Sequence, residues 1–148
     1  MKVYYPIFLD LTGRPVVVIG AGKVGLRKTR ALVEAGASVT LISPEAAEAV
    51  PVGVHWAQRG YAEGDLQGAF LAYAATNNRA VNAAIRDEAQ RRGIPVNVAD
   101  APGECDFIVP ARLHHADLQI AVSTGGTQPG RAAMVRDRIR EFLSGIMP

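Results

Sequence analysis

Residues Gly20-Ala21-Gly22-Lys23-Val24-Gly25 follow the β-branched run Arg14-Pro15-Val16-Val17-Val18-Ile19 and precede an amphipathic stretch. A proline is tolerated where a strand begins, because its missing N–H is not yet needed by a neighbour. Strand, glycine turn and helix in direct succession form a G-x-G-x-x-G unit. The first glycine permits the tight turn and the second lets the backbone approach a pyrophosphate. The third lets the helix pack close to the strand, so that amides at the helix start face the anion. This context makes dinucleotide binding the leading expectation, with Gly20, Gly22, Lys23, Val24 and Gly25 as its first candidates.

The remaining pattern agrees with that beginning. A helix is expected over 23–35, closed by Gly36, with Val24, Ala31, Leu32 and Ala35 on one face. Arg27 and Lys28 interrupt this stripe, and their aliphatic stems can lie along the sheet edge. Further strands are expected at Ser38–Ile42, Val54–Gln58, Phe70–Ala75 and Pro95–Val98, with a short helix at Glu45–Val50. A second long helix is expected over 78–92, with Val81, Ala84, Ile85 and Ala89 inside. Its Asp87/Arg91 and Glu88/Arg92 are expected to pair outside. Such alternation predicts an α/β fold, a Rossmann-like doubly wound parallel sheet with a small C-terminal α+β segment. Gly20, Ser43, Thr76 and Asp100 each follow a strand and should gather on the edge where such sheets bind ligands.

Two boundary regions have a different character. Tyr5–Asp10 reads as a short lead-in strand. After Asp100, Phe107–Val109 and Leu118–Ser123 read as strands joined by Pro110–Asp117, followed by a helix over 129–143. Its apolar stripe is Ala132, Val135, Ile139 and Phe142. The expected division is therefore a dinucleotide-binding domain at 1–104 and a segment at 105–148. Two strands and a helix are too few for an independent core, so this segment is expected to pair with a second copy as a homodimer.

Composition narrows the partners. The chain has 148 residues and a net charge of +2, too small a charge to argue for nucleic acid. Thirteen of its 16 basic residues are arginine, suited to bidentate carboxylate and phosphate contacts. A single cysteine, Cys105, excludes an internal disulfide and fits a reducing compartment. With no membrane span or secretory signal pattern, a cytoplasmic address is expected. No nucleic-acid or membrane partner is expected.

Six segments together resemble one family. They are Pro6–Leu11, the glycine motif running into Arg27-Lys28, Ala74–Asn77, Asn97–Asp100, Asp106–Pro110 and Ser123–Pro129. In this order the chain resembles the precorrin-2 dehydrogenase/sirohydrochlorin ferrochelatase family, the N-terminal module of siroheme synthase. The resemblance implies oxidation of the tetrapyrrole precorrin-2 to sirohydrochlorin with NAD. In some relatives ferrous iron is also inserted at an overlapping site. The chain stops at Pro148, ahead of a helical segment usual in the family, which makes dehydrogenation the stronger expectation. By the same resemblance Lys23, Val24, Ser43, Pro44 and Glu45 touch NAD, and Asp100 is the general base.

The residues themselves leave several choices. Ser43 stands where an acid accepting from a ribose hydroxyl would favour NAD, so NAD against NADP is open at that position. Asp100 suits proton transfer when cofactor and macrocycle shield it, or it caps the turn before Pro102. Thr76 combines cofactor proximity with helix capping, and capping alone would explain it. Arg112, His114, His115, Arg131 and the turn Thr124-Gly125-Gly126 are the candidates for substrate carboxylates, the turn being an anion site by geometry or else a connector and the histidines exposed loop residues otherwise. His114 and His115 point in different directions and lack a third ligand at metal spacing, so no metal site is expected. The competing function is a non-catalytic NAD(H)-sensing dimer, and a third is oxidation of another small substrate.

Overall fold

A computed structural model describes residues 2–146. They divide into two compact units, one of Ile7–Phe107 and one of the described residues from Ile108 onward with those before Ile7. The first unit carries five parallel strands: β1 (Pro15–Ile19), β2 (Ser38–Ile42), β3 (His55–Ala57), β4 (Leu71–Ala74) and β5 (Val96–Val98). Their order is β3-β2-β1-β4-β5, so the chain winds outward from β1 and then returns to its other side. The reversal between β1 and β4 opens a crevice at their carboxyl ends.

The central strands are buried on both faces, as their continuous apolar runs require. Val16 and Val18 join Leu26, Leu32, Leu41 and Tyr73 on one face of the sheet. Val17 and Ile19 join Ala72, Ile85, Ala89 and Val96 on the other. Helix α1 (Lys23–Glu34) covers the first face and α2 (Arg79–Arg92) the second. Asn78 caps α2 by accepting from the Ala80 and Val81 amides at 3.0 and 3.2 Å. Gly93 ends it in the left-handed region at φ +67°.

The expected inner faces are corrected in both helices. α1 buries Gly25, Leu26, Thr29 and Leu32, whereas Val24 and Ala35 are exposed. Lys28 is half-buried, with its Nζ 2.9 Å from Asn97 Oδ1 and 5.2 Å from the Tyr73 ring centroid. Burial, assisted by the Arg27 charge, pushes its pKa below that of an ordinary lysine. α2 buries Asn82 and Glu88 beside Ile85 and Ala89, while Ala84 is exposed. Arg91 reaches Glu63 at 2.7 Å rather than pairing with Asp87.

Two elements expected ahead of the second unit's hairpin do not form. Tyr5–Asp10 is not a strand: Ile7 and Phe8 are exposed, Pro6 lacks a donor, and Asp10 instead accepts from the Thr12 amide at 2.9 Å. The stretch 45–50 is not helical. It is short, bounded by Pro44 and Pro51, and the Ala47 amide is committed to the Ala21 carbonyl at 2.9 Å.

In the second unit, β6 (Ala111–His115) and β7 (Leu118–Val122) form an antiparallel hairpin on which α3 (Pro129–Ile146) packs. The expected strand at Phe107–Val109 and the long connection after it are both corrected. Phe107 instead packs edge-on against Tyr73, with ring centroids 5.4 Å apart. The connection is the two-residue turn Ala116-Asp117, with Ala116 at φ +51°. Leu113 opposite Ile120 faces the helix side; Arg112 and His114 alternate onto the exposed face. α3 buries Ala132 and Leu143, and Phe142 is 65% exposed instead of completing the stripe. No helix among the described residues is long and apolar enough to cross a membrane.

Glu88 tests the fold directly. Its side chain has no exposure and accepts from Tyr61 Oη at 2.6 Å, Arg92 Nε at 2.6 Å and the Gly64 and Leu66 amides at 3.1 and 3.3 Å. Burial opposes its charge, but these four donors outweigh burial and hold its pKa below an ordinary glutamate's 4.5. A lowered folded pKa gives stability that is complete above the unfolded value and lost as pH falls through the folded one. Glu88→Gln should lower Tm at pH 7 by roughly 4–8 °C, from stranded donors costing about 1–3 kcal/mol. Thermal melts should then show the gap to wild type narrowing below pH 4.5, because only wild type loses a charge there.

Candidate functional site

A cleft of about 860 Å³ follows the carboxyl ends of the strands in the first unit. The glycine turn supplies Gly20, Ala21, Gly22, Lys23 and Val24 to its lining, and the loop after β2 supplies Ser43, Pro44 and Glu45. Gly60 and Tyr61 form another part, Ala75–Asn78 follow β4, and Ala99 and Asp100 follow β5.

The three glycines do different physical work. A Cβ on Gly25 would stand 1.9 Å from the Gly20 carbonyl oxygen, and one on Gly20 would stand 2.4 Å from the Ala75 oxygen. Gly20 also holds φ +102°, which side chains rarely adopt. Gly22 has nothing within 4 Å of a built Cβ: its open side belongs to the cleft. Gly25 is the one turn candidate that lies beneath the lining instead of in it. No side chain caps the first turn of α1 and no acid stands in it. Its free amides and positive dipole end suit an anion.

Ser43 turns inward on its own loop, its hydroxyl donating to the Glu45 carbonyl at 2.7 Å. Trp56 Nε1 braces the same loop from β3 by donating to the Ser43 carbonyl at 3.0 Å. Among the described residues Lys23 is the only basic side chain in the lining, and no basic one stands at its β2 end. The Thr76 hydroxyl lies 2.7 Å from Asn82 Oδ1 and accepts from the Asn78 amide at 3.2 Å.

Asp100 accepts from Asn82 Nδ2 at 2.9 Å, and Arg79 Nη1 stands 3.9 Å away. Arg79 is itself engaged by Glu104. The 3₁₀ turn Pro102–Glu104 has no side-chain cap, so the carboxylate is directed to Asn82 and not to the backbone that follows it.

Sequence reasoning missed two members of this region. Asn82 left a signal, a polar residue at a core-facing position between Asn78 and Ile85. Tyr61 left none, being one aromatic in an irregular acidic and glycine-bearing loop. Burial and then the Glu88 hydrogen bond push the Tyr61 pKa above its usual value, so it stays a neutral wall of the cleft.

The candidates for substrate carboxylates lie in the second unit. Arg112 and His114 share the exposed hairpin face with Gln119 and Ala121. His115 alternates to the other side. Gly125 and Gly126 have φ of +66° and +82°, in a turn closed by Thr127 Oγ1 on the Thr124 carbonyl at 2.7 Å. The Gln128 amide donates to Thr124 Oγ1 at 2.9 Å, and Arg131 is exposed in the first turn of α3. Cys105 is buried away from the cleft, its sulfur 3.2 Å from the Val98 amide. No cluster of three or more His, Cys, Asp or Glu fit to hold a metal occurs among the described residues.

A family model described as "Putative NAD(P)-binding" matches residues 7–111. The chain belongs to this NAD(P)-binding family. A second model, "Sirohaem biosynthesis protein central", matches residues 117–141. The siroheme synthase of Methylococcus capsulatus is 46% identical over 148 residues, and that of Ectopseudomonas mendocina 44% over 145. Each match covers 95% of this chain and 31% of the relative, so the chain spans about a third of their length. The solved structure of SirC, a precorrin-2 dehydrogenase, is similar with a TM-score of 0.76 at 27% identity. That match covers 98% of this chain and 72% of SirC. The family resemblance carried by the six segments and the Rossmann-like fold therefore hold.

The glycines separate folding from binding. Gly25→Ala must displace backbone, so Tm should fall by about 10 °C or more, or no folded protein should be recovered. Gly22→Ala should keep Tm within about 2 °C yet weaken nicotinamide dinucleotide binding roughly tenfold by titration calorimetry, because its methyl occupies the anion approach.

Proposed function

We propose that this chain oxidises precorrin-2 to sirohydrochlorin with NAD, as a homodimer in the cytoplasm. The observation that carries the reading is the cleft itself: an open glycine turn at a helix start and an acidic side chain at the end of β5 share one lining. The match of residues 117–141 to the sirohaem biosynthesis model and the likeness to siroheme synthases and to SirC support the same substrate class. Bound NAD supplies the acceptor for the hydride, and balance then requires release of one proton.

Each role follows from chemistry at a named position. Amides of the Gly22–Val24 turn hold the pyrophosphate, with Lys23 adding positive charge. Ser43, Pro44 and Glu45 would hold the adenosine ribose, and Thr76 would contact the dinucleotide. The β2 end favours NAD over NADP, since a 2′-phosphate would meet Glu45 and no basic partner. Asp100 takes the proton. Arg112, Arg131 and the Thr124-Gly125-Gly126 turn bind carboxylates of the macrocycle, the Gly125 amide exchanging Ser123 Oγ, now at 3.0 Å, for a carboxylate oxygen. Ferrous iron, where inserted, is a substrate.

The homodimer rests on the second unit. α3 leaves Met134, Phe142 and Ile146 more than half exposed beside its buried stripe, an apolar surface of the kind an interface covers. The buried thiol of Cys105, which makes no disulfide, accords with a reducing compartment.

Protein mixed with precorrin-2 and NAD should yield the sirohydrochlorin spectrum and NADH together. Folded protein that binds NAD without either signal would instead be a cofactor sensor. Asp100→Ala should lower kcat at least about a hundredfold while NAD affinity stays within a few-fold. Unaltered turnover would remove Asp100 from the chemistry. NADP should be used at least tenfold less efficiently than NAD, as judged by kcat/KM. Light scattering at micromolar concentration should give twice the chain mass, and a monomer mass would refute the interface.

A further inference from the structure

Asn82 has no exposed surface, although it lies one turn into the helix that starts at the cleft. A primary amide offers two N–H donors and an oxygen that accepts two bonds. All four capacities are used. Nδ2 donates to the Thr76 carbonyl at 3.0 Å and to Asp100 Oδ1 at 2.9 Å. Oδ1 accepts from the Thr76 amide at 3.2 Å and the Thr76 hydroxyl at 2.7 Å. The pattern fixes the orientation of the amide, because reversing it would set donors against the Thr76 N–H and acceptors against Asp100.

Three of these bonds tie down the loop after β4, and the fourth reaches the loop after β5. Both loops line the cleft. A residue required only to fill the inner face of α2 would be apolar, as Ile85 and Ala89 are. Arg79 also faces Asp100, but at 3.9 Å and with its guanidinium engaged by Glu104 it does not direct the carboxylate.

We propose that Asn82 is a positioning residue for the dehydrogenation, holding the Asp100 carboxylate at a fixed place and angle relative to the Thr76 loop along which the dinucleotide lies. The inference rests on the role given to Asp100 above. A base must stand within hydrogen-bond reach of its proton in the bound complex, and a freely rotating carboxylate meets that demand only part of the time.

The test compares Asn82→Asp, Asn82→Ser and Asp100→Ala in the full chain, with precorrin-2 and NAD as substrates. Asn82→Asp keeps the size and the acceptor for Thr76 but turns an oxygen toward Asp100. Its kcat should fall at least tenfold while KM for NAD changes less than threefold. The acidic limb of its kcat/KM profile should move to higher pH, because two facing carboxylates resist ionising together. Asn82→Ser adds no charge; it should lower kcat similarly without that displacement of the limb. Exchanging the pair, Asn82→Asp with Asp100→Asn, should restore much of the melting temperature and none of the turnover.

A merely structural Asn82 would give activity that follows the folded fraction and an unmoved pH limb, which overturns the proposal. Wild-type kcat in Asn82→Asp, with Asp100→Ala inactive, overturns it while leaving Asp100 as the base. Normal turnover in Asp100→Ala removes both ideas together. Should the Asn82 variants fail to fold, ¹⁵N spectra of wild type still decide. The Asn82 side-chain amide should shift with pH in step with kcat/KM, and a flat signal over that range rejects the coupling.

Discussion

No side chain fits between the start of α1 and the end of β1. A methyl on Gly25 would overlap the Gly20 carbonyl, and one on Gly20 would overlap the peptide after Ala75. These two approaches press the helix start, the end of β1 and the end of β4 into one junction, which the Ala75 amide closes by donating to the Ile19 carbonyl at 2.8 Å. The cleft is what remains outside that junction. Its floor is backbone, so its shape depends on the absence of two methyl groups more than on any lining side chain. The Ala47 amide on the Ala21 carbonyl then attaches the loop after β2 to the same turn.

α2 extends this framework by polar means. Asn82 and Glu88 are both fully buried, and each gathers donors or acceptors from loops instead of packing against the sheet. Asn82 joins the loops after β4 and β5. Glu88 holds the segment at 61–66, and with it the Tyr61 wall of the cleft. A half-satisfied buried network costs more than an apolar one, so the complete satisfaction of both groups is what makes them usable as anchors. The helix acts as a frame for irregular segments that have no ladder of their own.

The sequence discloses the elements whose signals are local. The glycine turn between a β-branched run and an amphipathic stretch and the Gly36 stop after the first helix each follow from rules that need no tertiary partner. They suffice for the parallel winding and for the edge where Gly20, Ser43, Thr76 and Asp100 meet. What stayed hidden depends on partners distant in sequence. Glu88 looks like an outward member of an i,i+4 pair until the loop at 61–66 is folded over it. Arg112-Leu113-His114 looks like a loop because only one apolar residue lies among the polar ones, yet that alternation is what a hairpin with one covered face requires. Glu45–Val50 has helical composition but loses its amide at Ala47 to the glycine turn.

The division of charge between the units bears on how a polyacidic substrate would be held. The cleft lining contains Lys23 as its single basic side chain and two acids, Glu45 and Asp100. That balance serves a dinucleotide, whose pyrophosphate is met by helix-start amides, but it offers little to a macrocycle bearing eight carboxylates. Under the proposed reaction the compensating charge comes from other surfaces, and the second unit presents it in ordered form. Arg112 and His114 are set by strand alternation on the exposed hairpin face, and the Gly125 amide of the Thr124–Gly126 turn donates to Ser123 Oγ at 3.0 Å. Because α3 covers the opposite face of the hairpin, the basic face is held in register by apolar packing of Leu113 and Ala132 behind it. Under the proposed reaction the cleft serves the cofactor, and Arg112, His114 and Arg131 of the second unit are exposed basic groups left for the carboxylates.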